Sequence, residues 1–209
     1  MKYVGLKGYS RYHDMYSLSF EEIRELSKRE KIFVALNRVK EADELIDAAK
    51  KLGDVEGFIL NEIAAIKELS KERRIVASVG LTPLNDLDLE FFEDLGAFAV
   101  VIPPELNDEI DSFRTRDIKI EAFGRALVEM FYKGKCLLSA YADGTSVKRD
   151  GICTKVCCRN WKVYIGCKEI CNVDFSPKLM EFDVKADLIK IEGRQFGKRI
   201  MEVKYGVND

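Results

Sequence analysis

The stretch IFVALNRVKEADELIDAAKKLGDVEGFILN, residues 32–61, carries the reading from which the fold follows. Ile32–Leu36 and Gly57–Leu60 are short apolar runs with the length and composition of strands buried on both faces. Between them Glu41–Leu52 has the spacing of an amphipathic helix. Each apolar run gives way to a polar residue, Asn37 and Asn61. Strand, helix and strand at this spacing predict a parallel βαβ unit.

The pattern repeats outward. Tyr3–Leu6, Ile75–Val79, Ala97–Ile102, Ile118–Phe123 and Asp187–Ile191 read as further strands. Ser19-Phe20-Glu21-Glu22 is a capping box that opens a helix to about Arg29. Glu62–Lys71, Leu87–Leu95 and Leu106–Ser112 supply other helical stretches, with Gly96 at a C-terminal cap position. Polar residues follow the strands again and again: Lys7, Asn37, Asn61, Ser78, Glu105, Glu121 and Glu192. In a (β/α) barrel and in a doubly wound sheet alike, the C-terminal strand ends form the active face. The expected class is therefore α/β with a site at those ends.

Six cysteines, Cys136, Cys153, Cys157, Cys158, Cys167 and Cys171, fall within one short stretch, and the rest of the chain has none. Cysteines used as small core hydrophobes would be scattered. Net charge is −2 and 47% of residues are hydrophobic, ordinary for a globular protein. No apolar run approaches the ~20 residues that span a bilayer. Met1-Lys2-Tyr3-Val4-Gly5 lacks the apolar core of a secretory signal. These features give a cytoplasmic, reducing setting, in which clustered cysteines hold metal rather than disulfides. From Lys133 onward Lys and Arg number 15 against 10 Asp and Glu, which suits an anionic partner. Trp161 and Tyr164 are of a type that stacks on a base, although such residues more often anchor loops. There is no GxGxxG or Walker loop, no HExxH and no Gly-x-Ser-x-Gly elbow. The only histidine is His13, so a histidine-based triad has a single possible base.

Glu121-Ala122-Phe123, Gly134-Lys135-Cys136-Leu137-Leu138-Ser139, Cys153-Thr154-Lys155-Val156-Cys157 with Arg159, and Lys190-Ile191-Glu192-Gly193-Arg194 form a connected set of motifs. With Val4–Lys7, Phe33–Asn37, Pro104-Glu105-Leu106 and the late Cys171 before Pro177, the chain resembles the collagenase-like peptidase family (peptidase family U thirty-two) over nearly its whole length. The resemblance implies a (β/α) TIM-like barrel, shortened at the N-terminus, with a cysteine-rich insertion before the last strand. One domain would span residues 1–209, with a cluster-binding segment at 133–175 inside it.

The better understood relatives are oxygen-independent hydroxylases of ubiquinone biosynthesis and of tRNA or ribosomal RNA bases, with prephenate proposed as hydroxyl donor. The resemblance thus implies a [4Fe–4S] cluster held by Cys136, Cys153, Cys157 and Cys171, with Cys158 competing with Cys157. Zinc is the alternative metal, but its usual Cys-x-x-Cys knuckles are absent. Glu121, Glu192 and Arg194 are the expected catalytic residues, and Lys7, Arg11, Glu105 and Arg159 the expected substrate contacts. The substrate would be a small aromatic or an RNA. A silent partner with a structural cluster is the alternative, and a peptidase the remote one.

Three departures stand out. Glu129 occupies a position where many relatives have cysteine, and Arg125-Ala126 follow the Glu-x-Phe strand in place of a polar residue and glycine. The first barrel strand of the relatives has no counterpart, leaving seven. The alternating tail Arg199–Val207 could fill that gap, or a partner chain could cover the open edge, as a homo- or hetero-oligomer with another family member.

Overall fold

The computed structural model describes residues 1–11, 14–114, 117–128, 136–145, 154–192 and 199–206. The chain divides into two compact units, residues 1–126 with 181–209, and residues 127–180.

The first unit is a closed mixed barrel. Its strands are β1 (Lys2–Gly5), β2 (Ile32–Leu36), β3 (Gly57–Leu60), β4 (Arg74–Ala77), β5 (Ala99–Val101) and β6 (Lys119–Val128), each parallel to the next. Then β10 (Leu188–Ile191) runs parallel to β6, and β11 (Ile200–Tyr205) closes the ring antiparallel to both β10 and β1. The tail therefore takes the eighth place. Its burial alternates as the period of a strand requires: Met201 and Val203 are buried, Glu202 and Lys204 exposed. Met1 fastens the seam, its ammonium donating to the Val203 carbonyl at 2.8 Å while the Val203 N–H donates to the Met1 carbonyl at 3.0 Å.

Among the described residues, four helices cover the outside: α1 (Phe20–Ser27), α2 (Ala42–Leu52), α3 (Ile63–Leu69) and α4 (Asp86–Asp94). Ser19 and Glu22 form the expected capping box. After α4 the Gly96 N–H donates to Glu93 and the Ala97 N–H to Phe92, with Gly96 at φ +80°, the pattern of a Schellman cap. Leu106–Ser112 differs from its expected α-helix and is a 3-10 segment, Pro104–Ser112. Its polar and acidic residues leave only Asn107 and Ile110 buried, too narrow an apolar face to hold a full helix against the barrel.

One face of each strand, with Val4, Val34, Phe58, Ile75, Val100 and Ile120 among its residues, packs under the helices. The other face fills the barrel. Near the N-terminal strand ends the Phe33 ring stacks on Phe98 at 6.3 Å and lies 5.6 Å from Tyr3. Gly57 makes room for it, since a Cβ there would stand 2.7 Å from the Phe33 ring and 2.1 Å from the Arg74 carbonyl. This aromatic layer fills the barrel near the N-terminal strand ends, and its Tyr3 hydroxyl reaches Glu121.

The second unit holds α5 (Leu137–Asp143), a 3-10 turn Val156–Cys158, the hairpin β7 (Trp161–Ile165) and β8 (Lys168–Val173), and β9 (Lys178–Glu181) at its end. The sequence did not foreshadow these strands, because their residues are mostly exposed and lack an apolar run.

Candidate functional site

Inside the barrel, β1, β6 and β10 bring three polar side chains together. Glu121 is 0% exposed, and Tyr3 donates its hydroxyl to Glu121 Oε2. Lys190 Nζ stands 3.5 Å from Glu121 Oε1. That is ion-pair range but too long for a strong hydrogen bond, and among the described residues Oε1 has no hydrogen-bond partner. The same ammonium lies 5.4 Å from the Tyr3 ring centre and 5.2 Å from that of Phe123, so both rings face a cation. Burial pushes the Glu121 carboxyl above its ordinary range, opposed first by the Lys190 charge and then by the Tyr3 hydrogen bond. A carboxyl of this kind holds a proton longer than a solvated one, which is what a general acid or base near neutral pH needs.

Glu192, two residues on from Lys190 and just past the end of β10, is buried as well. Its backbone N–H donates to the Arg125 carbonyl at 2.9 Å, and Arg125 Nε donates back to the Glu192 carbonyl at 3.2 Å. At the ends of β3 and β4, elsewhere on the barrel, Asn61 Oδ1 is buried without a hydrogen-bond partner among the described residues, its amide lying against Gly80, and Ser78 is buried.

The other expected residues are scattered. Lys7 is exposed after β1, its N–H donating to Leu18. Arg11 is half-buried and donates its N–H to Asn37 Oδ1 at 2.9 Å. Glu105 is exposed in the 3-10 segment after β5. Arg159 makes a two-pronged contact with Asp143 at 2.8 and 2.7 Å inside the second unit, holding the Asp143 carboxyl below its usual range. Arg194, Cys153 and His13 lie outside the described residues.

Tyr3 and Lys190 were not singled out from the sequence as functional residues. The signal was present for Lys190: a lysine between Ile189 and Ile191 in a buried strand needs a partner to be tolerated. Tyr3 looks like any aromatic strand residue until the barrel closes around it.

Cys136 is the N-cap residue of α5, Cys157 lies in the turn Val156–Cys158, and Cys171 sits on β8 opposite Val163. All three belong to the second unit, where α5 packs on that turn. Soft thiols suit iron–sulfur or zinc. Among the described residues no three potential ligands come together to hold a metal ion. The chemistry of the donors fits such a group, and their described placement does not assemble it.

Set beside known proteins, the chain is 29% identical over 168 residues to a tRNA hydroxylation protein P of Escherichia coli (strain K12), covering 74% of this chain and 36% of that protein. The protein of the same name in Haemophilus influenzae is 29% identical over 168 residues, with 35% of its length covered. A collagenase of Porphyromonas gingivalis is 29% identical over 184 residues, 73% of this chain and 43% of the collagenase. A solved structure of a U32 peptidase aligns with TM-score 0.48 at 14% identity over 60% of each chain. This chain thus spans 35 to 43% of the length of these curated relatives. The sequence model of peptidase family U32 extends through both units, over residues 2–205, and the chain belongs to that family.

Proposed function

We propose that this chain is an iron–sulfur protein of the oxygen-independent hydroxylase kind, or a subunit of one, acting on an aromatic or nucleobase substrate. The observation that carries the reading is the match along 74% of the chain to proteins named for tRNA hydroxylation. The buried Glu121 supports it, because introducing oxygen into a ring requires protons to be taken up and released at defined positions. Cys136, Cys153, Cys157 and Cys171 would hold a [4Fe–4S] group, which supplies one-electron transfer when bound. Glu121 would hold or pass a proton at Oε1. Lys190 would keep that site's charge balanced, while Glu192, with Arg125 bracing its backbone, would line the route toward the strand ends. Lys7, Arg11 and Glu105 would meet substrate from the loops, and Arg194 from beyond β10. The guanidinium of Arg159 serves Asp143, which favours a positioning part for it.

A second reading is a silent partner with a structural cluster. The complete burial of Glu121 between Tyr3 and Lys190 favours it, since such a set also serves simply to fill a barrel.

Anaerobic purification with iron, sulfide and zinc analysis tests the proposal. About four irons and four sulfides per chain are expected, lost in Cys153→Ser. Stoichiometric zinc, or no metal, would overturn the cluster reading. With the cluster in hand, mass spectrometry of RNA from cells with and without the protein looks for a gain of one oxygen. Its absence from all RNA and aromatic pools, with the cluster intact, would select the silent partner.

A further inference from the structure

Between Ile75 and Phe113 the chain has nine Asp and Glu and no Lys or Arg. Five of these acids lie on α4: Asp86, Asp88, Glu90, Glu93 and Asp94. Helix α4 buries Leu89 and Phe92 against the barrel, as an amphipathic helix should. Its outer side is not simply polar. Leu87 is 75% exposed and Phe91, one turn on, is 45% exposed, with Leu84 exposed just before the helix. Leu87 and Phe91, an apolar pair at i and i+4 framed by carboxylates, thus stand on the solvent side of this helix.

The complementary chemistry is in the same sequence. Residues 127–180 carry nine Lys and Arg against five Asp and Glu, leaving the rest of the chain at −6. That unit also displays apolar side chains: Leu137 and Tyr141 one turn apart on α5, and Ile165 and Ile170 on the hairpin β7–β8. Lys168 lies opposite Ile165 at the hairpin turn.

We propose that the outer face of α4 docks the basic 127–180 unit of a second copy of this chain. Leu87 and Phe91 pack on Ile165 and Ile170 of the hairpin, and the surrounding carboxylates meet Lys168. The contact joins two different surfaces, so it is head-to-tail and propagates unless the rotation closes a ring. Charge at its rim accelerates encounter and makes association sensitive to salt, while the central aromatic and aliphatic residues hold the complex.

Sedimentation velocity of the whole chain, prepared anaerobically with reductant so that exposed thiols cannot cross-link, reads the result. Wild type is expected to self-associate at about 50 mM salt and to dissociate at least tenfold more readily at about 500 mM. Leu87→Glu/Phe91→Glu and, separately, Ile165→Asp/Lys168→Glu should each be monomeric. Mixing the two should restore a dimer, because each keeps the half that the other has lost. All the substituted side chains are at least partly exposed, so thermal melts should match wild type, and Leu87→Glu alone serves if the double variant does not fold. A wild type that is monomeric at roughly 100 μM, association untouched by the α4 substitutions, or two variants that fail to pair on mixing would each overturn the proposal.

Discussion

Tyr3, Glu121 and Lys190 stand far apart in the chain, yet their side chains share one dry volume. Moving two charges out of water costs several kcal/mol per ion, so the pairing is weak evidence for stability. Burial raises the Glu121 carboxyl, so the folded chain keeps its proton at pH values where the unfolded chain has released it. The stability from this group is therefore fully present below the unfolded value of about 4.3 and is lost as pH rises through the folded value. Urea melts of wild type and Glu121→Gln should show wild type losing stability relative to the variant as pH climbs from about 4 toward neutrality. A relative gain over that range would contradict the burial-dominated account. The sequence marked Glu121 through the Glu121-Ala122-Phe123 motif and through its place among the polar residues at strand ends. The hydroxyl that reaches it was not legible there, since a strand tyrosine carries no mark of its partner.

At the scale of elements, the helices and most strands followed from local periodicity. Ile32–Leu36 and Gly57–Leu60 form strands with the bounds their apolar runs suggest, and the capping box at Ser19 starts α1. The antiparallel β11 depends on more than local pattern. It lies between β10 and β1, and Met1 closes onto Val203 through two backbone hydrogen bonds. Val203→Pro would remove the N–H that donates to the Met1 carbonyl and force a proline into an interior strand, a loss of at least about 1–3 kcal/mol from the unpaired acceptor alone. Circular dichroism melts should show a broad, early transition for that variant. A melt as sharp and as high as wild type would mean that β11 is not needed to close the barrel.

At the scale of the molecule, the cysteines and the barrel belong to different compact units. The second unit, with its exposed hairpin, has a modest apolar core, and small units of that kind commonly lean on a metal or cross-link. The chain's one tryptophan, Trp161, sits in this unit, its indole donating to the Val156 carbonyl at 2.9 Å and its ring 6.3 Å from Phe175. Removing the proposed cluster with a chelator should shift Trp161 emission to the red, while the far-ultraviolet signal of the barrel stays largely in place. An unchanged tryptophan spectrum after complete iron loss would mean that the unit does not depend on the group.

The sequence by itself determined the α/β class, the strand and helix order of the barrel half, the concentration of thiols in one segment and the family motifs. These are properties of local spacing and composition, which a linear chain displays directly. Tertiary structure alone decided that the tail enters antiparallel as the eighth strand, that Tyr3 and Lys190 meet on Glu121, and that α4 turns Leu87 and Phe91 outward. Each of these depends on which distant surfaces exclude water from one another. That is set by closure of the whole sheet and is written in no single stretch of residues.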